Sequence, residues 1–180
     1  MALIWAEFAE RPTLEQYQNL KSHATRAGQW STWREKALAF LRETIANVKR
    51  EASKHRWWPS HRTDHSELVG ILLWEEDVDA AWREAKEGGC SNPLWLKLAA
   101  KREKDHPDDA LLVYQNQVDP TLHRKNNDAY RETIGLIRKV RDLMARLGRE
   151  SEFARYVESV RAAHKPKRNL MKLLDRAKWS

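Results

Sequence analysis

Apolar residues recur every three to four positions through most of the chain, which is the spacing of amphipathic α-helices. The clearest stretch predicts a helix from about Asn127 to Leu147, ended by Gly148. Its inward stripe consists of Tyr130, Ile134, Ile137, Val140, Met144 and Leu147. Such a stripe buries one face of a helix and leaves the opposite face to water. The pattern therefore predicts an all-α fold.

Capping residues and proline divide this pattern into separate helices. Thr13 and Thr32 each stand three residues before Gln or Glu, which predicts two helix starts and a helix pair within residues 12–52. Residues 53–63 are polar and contain Pro59, so they predict a long loop. The periodicity resumes after this interval.

Residues 64–174 are predicted to form three helical hairpins and a closing helix. Asp64 followed by Glu67 matches a capping box at the start of the first hairpin. Pro93 and Pro107 suit the first positions of two later helices, where a missing amide hydrogen costs nothing. The final amphipathic helix is expected to cover the end of the stack.

The middle hairpin resembles a degenerate tetratricopeptide repeat. Trp95, Leu98 and Ala99 match the aromatic and the Leu-small pair of the repeat's first helix. Ala110 and Tyr114 match the small and aromatic residues of its second helix. The resemblance implies one helical-repeat domain over residues 1–180, built as a right-handed stack of antiparallel helical hairpins, a tetratricopeptide-like α-α superhelix.

Composition narrows the class of protein. Charged residues make up 33% of the 180 residues, and Lys and Arg exceed Asp and Glu by 33 to 26, a formal charge of +7. This surplus permits an acidic partner without requiring one. Nine Trp, four Tyr and three Phe supply more apolar area than a disordered chain normally offers.

Cysteine content and hydropathy bear on the compartment. Cys90 is the only cysteine, so the chain can form no internal disulfide and no multi-cysteine zinc site. Its N-terminus lacks the basic and apolar segments of a signal peptide, and no apolar run approaches the roughly 20 residues that cross a bilayer. These features predict a soluble cytoplasmic protein with no membrane partner.

A broader resemblance follows short segments from one end of the chain to the other. They are Trp5–Phe8, Arg11–Glu15, Gly28–Trp30, Leu73–Glu75, Gly88–Cys90 and Asn169–Leu174. In this order they resemble the helical C-terminal region of bacterial SWIM zinc-finger proteins and related uncharacterised proteins. The resemblance implies either the repeat region of a longer zinc-containing parent or a stand-alone relative. The Cys-x-Cys and Cys-x-His pairs of the SWIM motif are absent from this sequence, so we expect no zinc and no cofactor on these residues.

The clustered histidines are the first candidate for site chemistry. His55, His61 and His65 lie near Asp64, and the spacing of the last two histidines can bring two imidazoles together on a helix to bind metal. A solvated loop is the preferred interpretation, because Pro59 and the predicted helix start separate His61 from His65.

Cys90 precedes a predicted helix start, where the helix dipole favours a thiolate. A turn or packing role is preferred, because the sequence shows no partner base. With no convincing catalytic set, the chain is predicted not to be an enzyme.

The basic C-terminal segment is the main candidate for binding. Its possible contacts with nucleic acid or an acidic partner are Arg161, Lys165, Lys167, Arg168, Lys172 and Arg176. Such a group can bind phosphates electrostatically, but it also suits the solvated face of a terminal helix.

Trp57 and Trp58 are possible aromatic contacts for bases or for a protein, and packing against the first helices is the alternative. The function expected from the sequence is a non-enzymatic helical-repeat scaffold that mediates protein-protein interaction. The C-terminal module of a zinc-finger protein is one setting that the resemblance implies for it. The alternative is a nucleic-acid-associated accessory module that binds through its basic C-terminal surface. The oligomeric state is left open.

Overall fold

The computed structural model describes residues 1–54, 64–177 and 179, and in these ranges every regular element is an α-helix. The all-α prediction is therefore confirmed for the described residues. The chain divides into two compact units, Met1–Leu94 (unit 1) and Trp95–Ser180 (unit 2). The right-handed tetratricopeptide-like stack stays a prediction.

Unit 1 contains most of the N-terminal helices. They are α1 (Ala2–Glu10), α2 (Leu14–Arg26), α3 (Trp30–Lys54), α4 (Ser66–Trp74) and α5 (Val78–Gly88). Helix α6 (Asn92–Arg102) begins at the end of this unit and continues into unit 2. The remaining helices of unit 2 are α7 (Pro107–Leu122), α8 (Asn127–Arg146), α9 (Glu150–His164) and α10 (Arg168–Arg176). No helix of the described residues is both long and apolar enough to cross a membrane.

The first three helices pack in chain order, α1 against α2 and α2 against α3. Thr13 caps α2 as predicted, since its Oγ1 accepts a hydrogen bond from the Gln16 amide at 3.3 Å. The predicted cap at Thr32 is wrong, because α3 already begins at Trp30. Gly28, with a φ of 66°, makes the tight turn between the two helices.

The predicted capping box before α4 is wrong in its second half. His65 precedes the helix, and Asp64 Oδ1 accepts the first-turn amide of Ser66 at 3.1 Å, as predicted. Glu67 does not turn back, because its Oε2 accepts the Leu14 amide at 3.3 Å. A carboxylate satisfies an unpaired amide in the first turn of a neighbouring helix as well as in its own. Glu67 therefore ties α4 to the start of α2.

Helices α4 and α5 form a hairpin in unit 1. Asp77 caps α5 by accepting the Ala80 amide at 3.1 Å. Leu68 and Leu72 on α4 are buried, as are Ala81 and Ala85 on α5. Small residues on one helix let large residues on the other approach closely, which favours close packing of the pair.

In unit 2 the most extensive helix contact is that of α7 with α8. Asn126 caps α8 by accepting the Ala129 amide at 2.8 Å. Ile134, Ile137, Val140 and Met144 are all buried, which confirms the middle of the inward stripe predicted for this helix. Tyr130 and Leu147, at the two ends of the stripe, are half-buried. Both α9 and α10 pack on α8, so α8 is the central helix of the unit.

Candidate nucleic-acid interface

The basic C-terminal residues lie on α9, on α10 and in the connection between these helices. Arg168, Lys172 and Arg176 occupy every fourth position of α10 and are exposed. Residues four apart lie above one another on a helix, so these three cations form a single row. Lys165 and Lys167 belong to the turn before α10, the first exposed and the second half-buried.

A groove between α8 and α10 extends this basic face. It has a volume of about 320 Å³ and is lined by Arg131, Ile134, Arg138, Leu173, Arg176 and Ala177. All its charged lining residues are arginines, and its apolar lining comes from two large aliphatic side chains and an alanine. The arrangement suits an anion that also carries an apolar surface.

The acidic residues of these two helices are already paired. Asp128 accepts from Arg131 at 2.7 Å, Asp142 accepts from Arg141 at 3.0 Å, and Glu132 accepts from Arg124.

On α10 the acid is Asp175, which accepts from Arg161 of α9 at 2.7 Å. Within the part of the chain that the structure describes, Arg138 and Arg176 form no ion pair. Their guanidinium groups therefore remain available to an external anion.

Arg161 differs from the other predicted contacts. Its Nη1 donates to Asp175 at 2.7 Å, and its side chain is only 25% exposed. Beyond it on α9, His164 Nε2 lies 2.7 Å from Asp119 Oδ1 of α7. The C-terminal part of α9 is thus tied to α10 and to α7, so Arg161 contributes to the packing of unit 2.

Arg131 and Arg138 are site residues that the sequence interpretation missed. They are seven positions apart on α8, close to two helical turns, and they flank the buried Ile134. That spacing was visible in the sequence. What it could not reveal is that α10 lies beside this part of α8, because no sequence motif links the two segments.

His65 is the second place where charged groups converge, and it lies in unit 1. Its side chain is buried, with 4% of the residue exposed, which corrects the expectation of a solvated histidine. Nδ1 lies 3.0 Å from Glu84 Oε2, and Nε2 lies 2.9 Å from Lys49 Nζ. Glu84 also accepts from Arg42 Nε at 2.9 Å. The imidazole of His65 can be buried because each of its ring nitrogens has a hydrogen-bond partner.

The donors and acceptors of this cluster fix the neutral tautomer of His65. A lysine ammonium can only donate, so Nε2 accepts from Lys49 and Nδ1–H donates to Glu84. A cavity of about 310 Å³ lies beside the cluster and is lined by Arg42, Ile45, Ala46, Lys49, His65, Glu84 and Glu87. Basic and acidic groups balance there, so the cavity favours no ion of one sign.

The clustered histidines, for which the sequence favoured a solvated loop over a metal site, lie partly outside the described residues. His55, His61, Trp57 and Trp58 all lie outside the described residues. Among the described residues, no group of three or more His, Cys, Asp or Glu side chains can hold a metal ion. The ring of His65 contacts Glu84 and Lys49 instead.

Cys90 is buried, and burial together with the charge of Asp64 raises the pKa of its thiol to about 12. The protonated thiol is a weak nucleophile at neutral pH. Of the two sequence interpretations, this environment favours packing over reactivity.

Tryptophans of unit 1 surround two lysines. Lys21 Nζ lies 4.6 Å from the ring centroid of Trp74 and 5.4 Å from that of Trp30. Lys36 Nζ lies 4.1 Å from the centroid of Trp5. A cation over an aromatic face is attracted by the ring quadrupole, so these lysines complete the aromatic cluster.

Comparison with protein-family models, with curated proteins and with solved structures finds no match for this chain.

Proposed function

We propose that the chain is a non-enzymatic helical binding module whose unit 2 contacts the phosphate backbone of nucleic acid. The observation that supports this proposal is the arginine groove between α8 and α10, continued along α10 by Lys172 and Arg168. We define this basic surface as Arg131, Arg138, Lys165, Lys167, Arg168, Lys172 and Arg176.

Charge and geometry both favour a phosphate ligand for this surface. Guanidinium groups bind phosphate through two parallel hydrogen bonds, and lysines add unspecific attraction. The acids nearby are paired with other arginines, so they do not neutralise Arg138 or Arg176. Each phosphate that the surface neutralises releases counterions, and binding then weakens steeply as salt rises.

Fluorescence anisotropy with labelled single-stranded DNA, RNA and duplex DNA of mixed sequence tests the proposal. We expect a linear fall of log affinity with log salt, with a slope of about −3 to −4 if roughly four phosphates are contacted. The triple variant Lys165→Glu, Lys167→Glu, Arg168→Glu is expected to abolish binding at moderate salt.

A matched control reverses three exposed lysines elsewhere in unit 2, Lys97, Lys101 and Lys104, and changes the net charge by the same amount. The control should bind more tightly than the first variant. Equal losses in the two variants would mean that net charge alone drives binding. Affinity that does not depend on salt would contradict the proposal.

A protein-interaction scaffold is the second candidate function. The observation that favours it is Trp74 at the end of α4, which is 38% exposed. Its ring packs edge-on against that of Tyr17, with 6.2 Å between the ring centroids. A rigid, partly exposed tryptophan is a frequent anchor of protein interfaces. A partner retained from the native host by the wild type and lost with Trp74→Ala would support the scaffold, and background proteins alone would count against it.

The association with a SWIM zinc-finger protein is also a proposal. It is supported by the order of the six sequence segments that the resemblance covers. Reading the gene beyond the present chain tests it, because an upstream Cys-x-Cys and Cys-x-His module would make this region one part of a zinc-containing protein.

A further inference from the structure

We infer that the groove between α8 and α10 seats one unstacked nucleotide, so that unit 2 selects single-stranded nucleic acid over duplex. The inference rests on the proposed function and names the ligand of the same surface.

The groove combines two kinds of surface that a nucleotide requires. Ile134, Leu173 and Ala177 provide an apolar floor, and Arg131, Arg138 and Arg176 provide the cations. A phosphate alone needs only the cations. A floor of aliphatic side chains stabilises the complex only when the anion brings an apolar surface with it, and a base attached to the phosphate supplies such a surface.

Arginine suits both parts of such a ligand. Its guanidinium plane can stack on a base and its N–H groups can grip a phosphate, which lysine cannot do in the same way. Arg138 and Arg176 carry no acid partner among the described residues, so both can turn toward a strand. Arg131 pairs with Asp128, but the two side chains are 70% and 84% exposed. Water screens such a pair, so a phosphate can replace the carboxylate.

Size and access favour a single strand. The volume of about 320 Å³ lies at the lower end of the roughly 300–1,000 Å³ typical of small-ligand pockets. A duplex keeps its bases stacked and paired, and turning one outward costs the free energy of unstacking and unpairing it. A single strand presents unstacked bases at much lower cost, so only a single strand reaches the apolar floor without that penalty.

The test compares three probes of equal length and phosphate number per strand: a mixed-sequence single strand, an abasic single strand and the corresponding duplex. The wild-type full chain is expected to bind the mixed strand about ten-fold more tightly than the abasic strand, since burial of part of a base against the apolar floor contributes a factor of this order. It is expected to prefer the mixed strand over the duplex as well.

Arg138→Gln removes one groove cation and is expected to weaken binding of the mixed strand several-fold while reducing the preference for bases. Arg141→Gln is the matched control on the same helix, because Arg141 pairs with Asp142 and does not line the groove. Far-UV circular dichroism of both variants shows whether the helices are retained. Should Arg138→Gln unfold, Arg176→Gln takes its place.

The possible outcomes separate the inference from the proposed function. Equal affinity for the mixed and abasic strands, with salt dependence retained, overturns the nucleotide seat and leaves phosphate binding intact. Equal losses of affinity in Arg138→Gln and Arg141→Gln also overturn the nucleotide seat and leave phosphate binding intact. Retention on vesicles containing phosphatidylserine with higher affinity than on the mixed strand overturns the nucleotide assignment. Binding to none of the three probes refutes both statements.

Discussion

Alanine at position 88 would place a methyl group in the space occupied by the imidazole of His65. Gly88 is the last residue of α5, and a Cβ built there overlaps Cγ, Cδ2 and Nε2 of the ring. The ring cannot simply swing away, because it is buried and hydrogen-bonded at both nitrogens. Gly88→Ala must therefore move His65, shift α5 away from α4, or do both.

The cost follows from the contacts that are lost. A hydrogen bond to a charged group contributes roughly 1.5–3 kcal/mol, and the bond of His65 to Glu84 is of this type. Overpacking of a buried site adds about 1–3 kcal/mol. Part of this cost is offset, because alanine stabilises a helix relative to glycine by roughly 0.5–1 kcal/mol. We expect a loss of about 2–4 kcal/mol in the free energy of unfolding.

Urea unfolding followed by tryptophan fluorescence measures this loss, because most of the nine tryptophans precede Trp95 and report on unit 1. With a slope of roughly 1–3 kcal/mol per molar urea, the midpoint is expected to fall by about 1–2 M. Gly70→Ala is the control within unit 1. Gly70 lies inside α4 with no atom within 4 Å of an added Cβ, so this variant is expected to gain about 0.5–1 kcal/mol.

A double-mutant cycle attributes the effect to the imidazole. His65→Ala removes the ring and is destabilising by itself, because Glu84 loses a buried partner. In that background Gly88→Ala is expected to be neutral or stabilising. Unchanged stability of the Gly88→Ala protein, or an equal loss with and without the ring, would show that the imidazole of His65 does not oppose the added methyl group.

The remaining predictions concern buried titratable groups. Burial raises the pKa of Tyr17, Tyr114 and Tyr156 above the ordinary value of 10.0, and a bond to Glu75 adds to the effect at Tyr17. Because the folded pKa lies above the unfolded one, the stabilisation is complete below about pH 10 and is lost as pH rises through the folded pKa. The urea midpoint of unfolding should therefore fall as pH rises above 10, and it should fall less steeply in Tyr17→Phe. An equal fall in the wild type and in Tyr17→Phe would show that Tyr17 does not contribute to this pH dependence. Cys90, with a pKa of about 12, is expected to react slowly with an aromatic disulfide at pH 8 until denaturant is added, whereas rapid reaction of the native chain would show the thiol to be accessible.

Local chemistry explains which features could be read from the sequence. The stripe of α8 was predictable because periodicity depends only on residues of the same helix. The cap at Thr13 was predictable for the same reason, since its partner is three residues away. The predictions for Thr32 and Glu67 were wrong because several helix starts are locally acceptable, and tertiary contacts decide between them. Glu67, for example, binds the start of α2.

The candidate site shows the same division. The sequence identified Arg168, Lys172 and Arg176 as candidate contacts, because positive charge is concentrated in the C-terminal segment. It did not identify Arg138, which belongs to another helix and joins the row only where α8 and α10 pack together. The pairing of Arg161 with Asp175 likewise depends on how α9 meets α10.

By itself the sequence determined an all-α chain with helical faces, a basic C-terminal segment and a single cysteine, because composition and periodicity are properties of neighbouring residues. Tertiary structure alone decided which charges are buried, which are paired and which are left available. His65 is the clearest example, since its partners Lys49 and Glu84 come from α3 and α5. The physical reason is that desolvation and pairing depend on distances in space, which the packing of separate helices sets.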